Sequence, residues 1–121
     1  MKSPLERLKR RRDFLAASRA PSWAARGVVV QRCERGDGGP ARVGFTATRK
    51  LGGAVTRNRI RRRLKEAVRL TVADRLGAGA DYVFIARAAG LERSFASLKA
   101  DVRAAVERLV RQSETGTAPK A

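Results

Sequence analysis

Between Arg57 and Arg69 the apolar positions Ile60, Leu64, Ala67 and Val68 recur at the i, i+4, i+7, i+8 spacing of a buried helical stripe. The pattern predicts an amphipathic helix over Ala54–Leu76, entered through the Gly52-Gly53 turn and ended by Gly77-Ala78-Gly79. Upstream, Leu8, Phe14 and Leu15 set among Arg7, Lys9, Arg10, Arg11, Arg12 and Arg19 predict a short basic helix over Leu5–Ala20, stopped by Pro21. Residues 21–26 read as irregular. Gly27–Glu34 is β-branched and partly alternating, which predicts a strand. A hairpin-type loop at 36–40 follows. Arg42–Thr48 then sets Val43, Phe45 and Ala47 against Arg42, Thr46 and Thr48, the mark of a half-buried strand, antiparallel to the previous one.

Asp81–Arg87 is apolar on both faces in its middle, as a strand covered on both sides would be. Ser94 is placed to cap a last amphipathic helix traced by Phe95, Leu98, Val102, Ala105, Val106 and Leu109. Residues 113–121 carry no periodicity and predict a disordered tail behind one domain over 1–112. The order α-β-β-(β)-α-β-α gives an α+β fold, helices laid on a small mixed sheet.

Charge adds a partner to this picture. The 121 residues hold 28 Lys+Arg against 11 Asp+Glu, a net charge of +17, which predicts nucleic acid, since neutralised phosphates release counterions. The central helix carries seven cations and one acid between Arg57 and Arg69. Asn58, Arg61, Arg62, Lys65 and Arg69 fall within an arc of roughly 100° beside the apolar stripe. A solubilising face would interleave Glu with Lys; here Arg57/Arg61, Arg59/Arg63, Arg61/Lys65 and Lys65/Arg69 repel, and a polyanion relieves that repulsion. A membrane is not the expected partner, because the chain has no 18-residue apolar run and residues 2–13 lack an apolar signal core. The expected location is the cytoplasm. One cysteine, Cys33, excludes an internal disulfide, and zero histidines exclude zinc fingers and His-based catalytic sets.

The run from Arg42 to Leu64, with Arg49-Lys50-Leu51-Gly52-Gly53 and the Arg57-Asn58-Arg59 motif, resembles the signature of the bacterial ribonuclease P protein subunit. Asp13-Phe14 and the strand Asp81–Arg87 resemble the same family, so the likeness extends from Leu8 to Val110. It implies a compact two-layer α/β sandwich like a ribosomal-protein domain, with a left-handed βαβ crossover where sequence rules alone expect a right-handed one. It further implies a protein that assists a catalytic RNA in cutting the 5′ leader from precursor tRNA, lowering the Mg²⁺ requirement. On that resemblance Mg²⁺ is expected to be held mainly by the RNA, and no catalytic, metal-binding or small-molecule site is expected in the protein itself.

By the same resemblance, Arg57, Asn58 and Arg59 face the catalytic RNA and the substrate near the cut, and Arg61, Arg62, Lys65 and Arg69 continue that face. Guanidinium forks suit phosphates, and the Asn58 amide both donates and accepts. Phe14, Val29 and Gln31 match the floor of the leader cleft, where a ring stacks a base regardless of sequence. Arg11, Arg12, Arg49 and Lys50 add basic surface. This chain departs from the family pattern at Ser18 and Gln31, which replace aromatics, and at Gly53, which replaces the usual Asn cap.

Plainer roles are available for several residues. Phe14 also suits a core anchor for the first helix, Trp23 a cover for a core edge, and Cys33 an inert strand position. Asp74, Asp81 and Asp101 suit caps or ion pairs. A small structural RNA-binding protein and an architectural DNA-binding protein share the size and charge, but neither requires the basic helix behind a strand and a Gly-Gly turn.

Overall fold

A computed structural model describes residues 5–114. At its centre lies the strand apolar on both faces, β5 (Ala80–Ala86), with Tyr82 and Phe84 fully buried on one side and Val83 on the other. Burial on both faces requires neighbours on both edges, and β5 has them. It pairs antiparallel with β3 (Val28–Glu34) and parallel with β4 (Arg42–Thr46). The expected hairpin between β3 and β4 is therefore corrected: the two strands never pair, because β5 is inserted between them. The loop joining them packs instead on the entry to β5, where the Arg35 N–H donates to the Gly79 carbonyl (2.6 Å) and the Gly79 N–H to that of Gly39 (2.6 Å). Gly79 sits at φ 81°, a conformation open to glycine and strained for other residues.

Two short strands complete the sheet order β1-β4-β5-β3-β2 and correct two further expectations. The first basic helix does not begin at Leu5. Glu6–Arg7 form β1, parallel to β4, as the Glu6 and Leu8 N–H groups donate to the carbonyls of Ala41 (3.0 Å) and Val43 (2.8 Å). Only Arg11–Ser18 are helical (α1). Segment 21–26 is not irregular throughout: Ser22–Ala24 form β2, antiparallel to β3. In both cases the open edge of the sheet has backbone groups to satisfy, and that need outweighs local propensity.

The central helix α2 runs Ala54–Thr71, shorter than expected, and links the parallel neighbours β4 and β5. It stops at the β-branched pair Thr71-Val72, where the Thr71 hydroxyl donates to the Ala67 carbonyl (2.6 Å) and a single 3₁₀ turn, Ala73–Arg75, follows. An unanticipated short helix α3 (Ala89–Glu92) precedes α4 (Phe95–Glu114). Ser94 caps α4 as expected, its Oγ accepting from the Ser97 N–H at 3.1 Å. The helix continues through Ser113 and Glu114, two residues into the expected tail; 115–121 lie outside the described residues.

The sheet presents a different residue set to each layer. Ile60, Leu64, Ala67 and Val68 of α2 and Leu98, Val102, Ala105, Val106 and Leu109 of α4 share one core cluster with Val28, Val30, Val43, Tyr82 and Phe84. Because side chains alternate along a strand, the opposite face shows Gly44, Val83 and Gln31, which stand side by side in the strand register. There α1 lies across the sheet, with Ala17, Leu8 and Val83 buried and Phe14, Cys33 and Ile85 packed against them. The α+β fold class thus stands, with two long helices on one face and a short one on the other.

Candidate nucleic-acid interface

The position of α1 is set by a chain of charges. Asp81 is 3% exposed and receives Arg42 through both carboxylate oxygens (2.8 and 2.7 Å) and Arg35 through one (2.6 Å). Arg42 also reaches Asp13 of α1 at 3.5 Å, tying the helix to β4. Hydrogen bonding to the Asp81 carboxylate raises the Arg42 pKa from its ordinary value. At the outer end Arg35 holds the Asp37 carboxyl down to about 2, chiefly by hydrogen bonding.

With α1 fixed in this way, Phe14 stands over β4 at Gly44. A Cβ at Gly44 would come within 2.6 Å of Phe14 Cε1 and 2.7 Å of Cζ, so the ring edge occupies the space that any other side chain would fill. A glycine inside a strand marks such a close approach. On the far side of β4, α2 turns its cationic flank toward the same place. Phe14, Gly44, Phe45, Leu8 and Arg7 line one cleft of about 420 Å³ with Asn58, Arg61, Arg62 and Lys65. Ring, backbone and four polar side chains of the motif helix thus converge.

Within the cleft the Arg61 Nη1–H donates to Asn58 Oδ1 at 2.7 Å. This bond orients the Asn58 amide, leaving its two N–H donors available and Arg61 positioned beside them. The side chains of Arg62 and Lys65 make no hydrogen bond or ion pair among the described residues. Like charges held together without internal acceptors form a site for an external anion, and fork-shaped guanidinium groups suit phosphodiester oxygens. The apolar floor adds a surface on which a base can lie.

The profile of the ribonuclease P family matches residues 3–110. The chain belongs to the ribonuclease P family. A ribonuclease P protein component from Caulobacter vibrioides is 46% identical over 112 residues, 92% of this chain and 75% of the relative. One from Gluconacetobacter diazotrophicus is 48% identical over 98 residues, 80% and 84% of the two chains. The solved Staphylococcus aureus RNase P protein superposes with a TM-score of 0.72 at 26% identity, covering 85% of this chain and 94% of that one. The Thermotoga maritima RNase P protein gives 0.67 at 28% identity, covering 88% and 96%.

The structure separates the site residues expected from sequence into groups. Phe14, Asn58, Arg61, Arg62 and Lys65 share the cleft. Val29 and Gln31 lie half-buried on the same sheet face, two strands away on β3, and do not line it. At about 100° per residue Arg59 projects from the other flank of α2, and Arg57 is half-buried at the edge of the apolar stripe, its Nε without a partner among the described residues. Arg69 pairs with Glu66 one turn back, which raises the Arg69 pKa and lowers that of Glu66. Arg49 and Lys50 are exposed on the 3₁₀ turn before α2, and Arg11 and Arg12 on the first turn of α1. Gly53 caps α2 without a side-chain acceptor.

Ser18, one turn beyond Phe14, is exposed and donates to the Leu15 carbonyl (2.6 Å), so no second ring follows the first. Arg63, by contrast, is structural: its Nη2–H donates to the Arg93 carbonyl (2.6 Å). Trp23 lies on edge strand β2 with the Arg108 guanidinium 4.6 Å from its ring centre, at the rim of the α4 layer. Asp101 receives the Gly27 N–H (3.1 Å) and pairs with Arg93 (2.6 Å). Burial, with Asp81 and Asp13 nearby, pushes the Cys33 thiol up and keeps it protonated at neutral pH. Among the described residues no three His, Cys, Asp or Glu side chains gather into a cation site, and no helix is long and apolar enough to cross a membrane.

Sequence reasoning missed Arg7, Leu8, Val43, Gly44 and Phe45 as cleft residues. Arg7 was hidden by its assignment to a helix. Gly44 carried a readable signal, an isolated glycine within an alternating strand.

Proposed function

We propose that this chain is the cytoplasmic protein subunit of ribonuclease P, assisting a catalytic RNA in removing the 5′ leader from precursor tRNA. The observation that carries the reading is the single cleft in which Phe14 meets Asn58, Arg61, Arg62 and Lys65. A single-stranded leader lies there with a base against the Phe14 ring and its phosphates on the flank of α2. Arg59, on the other flank, and Arg49 and Lys50 before the helix are free to contact the catalytic RNA at the same time.

The hydrolytic chemistry falls to the RNA. The described side chains assemble no site for Mg²⁺; when bound by RNA, the metal supplies a water activated for attack on the phosphodiester. The protein binds and orients the leader, and its cations screen phosphates that otherwise require more Mg²⁺.

Phe14→Ala tests this directly. Reconstituted holoenzyme carrying it should lose most of its preference for precursor over mature tRNA, about 1–3 kcal/mol for one stacked base, while binding mature tRNA as before. Equal losses for both tRNAs at unchanged protein stability would show Phe14 to be only an anchor of α1.

A further inference from the structure

The one tryptophan of the chain, Trp23, stands on β2, at the sheet edge away from β4 and the Phe14 cleft. Its cross-strand partner is Val30, whose side chain belongs to the core under α4, so the indole projects from the helix-covered face, opposite to Phe14. Asp101, which receives the Gly27 N–H, sets α4 alongside, and about two turns on the Arg108 guanidinium lies 4.6 Å from the ring centre. Ala104, exposed one turn before Arg108, is too small to cover the ring, and 36% of Trp23 is open to solvent. Exposed arginines stand to either side. Arg26 and Arg87 follow one end of β2, with Arg87 donating to the Ala25 carbonyl (3.0 Å), and Arg111 lies one turn beyond Arg108. None of these four arginines forms an ion pair among the described residues. The acids of α4 are already taken, Asp101 by Arg93 and Glu107 by Arg75.

Covering Val30 requires only an apolar side chain. A wide ring left one-third open among unpaired arginines has in addition the chemistry of a nucleobase site, since the indole stacks a base and guanidinium forks take the phosphates on either side of it. A second copy of the chain would bring the same cations against themselves. We infer that Trp23 and Arg108 form a second RNA contact, on which an unpaired base of the catalytic RNA stacks with its flanking phosphates on the arginines. This rests on the reading of the chain as the partner of a catalytic RNA. The leader does not compete for the ring, because a strand in the Phe14 cleft lies on the other face of the sheet. The protein is then held to its RNA at the β2 edge as well as at the start of α2, with the α1 face left open to substrate.

The lone tryptophan reports on its own site. Titrating wild-type protein with catalytic RNA should quench its emission and shield it from acrylamide, whereas a single-stranded leader oligonucleotide should do neither. Trp23→Leu keeps an apolar cover over Val30 and should bind catalytic RNA about tenfold more weakly, within the range for one lost stack. Arg108→Gln should reduce the log–log salt slope of that binding by about 0.7, for one phosphate contact with irregular RNA. Arg103→Gln removes the same charge from another exposed flank of α4 and should leave affinity and slope unchanged. At saturating catalytic RNA, Trp23→Leu holoenzyme should keep the wild-type preference for precursor over mature tRNA. Wild-type binding of catalytic RNA with unchanged emission, or a Trp23→Leu variant that loses Tm but no RNA affinity, would leave Trp23 a cover for the core edge and overturn the inference. A loss confined to tRNA binding, or an equal loss with Arg103→Gln, would overturn it too. Failure of the wild-type protein to bind catalytic RNA at all would instead remove the functional reading beneath it.

Discussion

Replacing Gly44 by alanine isolates the part of the cleft that depends on one close approach. The backbone at Gly44 does not have positive φ, so alanine is not strained there. The added Cβ would lie 2.6 and 2.7 Å from the Phe14 ring edge and 3.3 Å from Leu8 Cβ, so the ring must withdraw by about 0.8 Å to regain an ordinary contact of 3.4 Å. Overpacking of this kind costs about 1–3 kcal/mol, offset by about 0.4–1 kcal/mol from the stiffer unfolded chain. A net loss of about 1–2 kcal/mol should lower Tm by about 5–10 °C. If the displaced ring forfeits about 1 kcal/mol of base stacking, the preference of holoenzyme for precursor over mature tRNA should fall about fivefold.

The decisive assay is a double-mutant cycle read by thermal unfolding. In a Phe14→Ala background the clash is gone, and Gly44→Ala should then be neutral or slightly stabilising. An undiminished penalty in that background would refute the claim that Gly44 exists to admit the ring.

Two further substitutions separate support from binding. Leu64→Ala removes a fully buried side chain of α2 and should cost about 2–5 kcal/mol, whereas Lys65→Ala, one residue along on the cleft flank, should change stability by under about 0.5 kcal/mol while weakening RNA binding. Chemical denaturation and a precursor tRNA titration on the same two proteins check both halves, and comparable stability losses would contradict the assignment of faces. Asp81→Ala leaves Arg35 and Arg42 without their shared carboxylate and so removes what holds the Arg42 side chain in reach of Asp13 on α1; it should cost about 3 kcal/mol and reduce leader preference together. A Tm within a degree or so of wild type would show that the charge chain does not position α1.

Elements whose pattern is long and internally consistent were legible in the sequence. The stripe Ile60-Leu64-Ala67-Val68, the doubly apolar β5 and the Ser94-capped α4 all appear with the burial their spacing requires. The strands β1 and β2 were not, because two or three residues are too few to show alternation and form only to complete a sheet edge. The β3–β4 hairpin failed for a related reason. Adjacency in sequence favours pairing of neighbours, but β5, apolar on both faces, belongs at the centre and displaces it. In the site, the flank Asn58-Arg61-Arg62-Lys65 followed from helical geometry alone, whereas Arg59, which the family likeness sets on one face with Asn58 and Arg61, projects from the other flank of α2. That Phe14 meets this flank across Gly44, with Val29 and Gln31 two strands away, depends on strand order and could not be read from spacing.

The central claim, that this chain assists an RNA catalyst, is tested most directly by reconstitution. Purified nuclease-treated protein, its cognate catalytic RNA and precursor tRNA should be combined singly and together across a Mg²⁺ series. The account predicts no cleavage by protein alone, and cleavage at the leader junction by RNA at a lower Mg²⁺ concentration when the protein is present than when it is absent. Cleavage by the RNA-free protein, or an unchanged Mg²⁺ requirement at saturating protein, would contradict it.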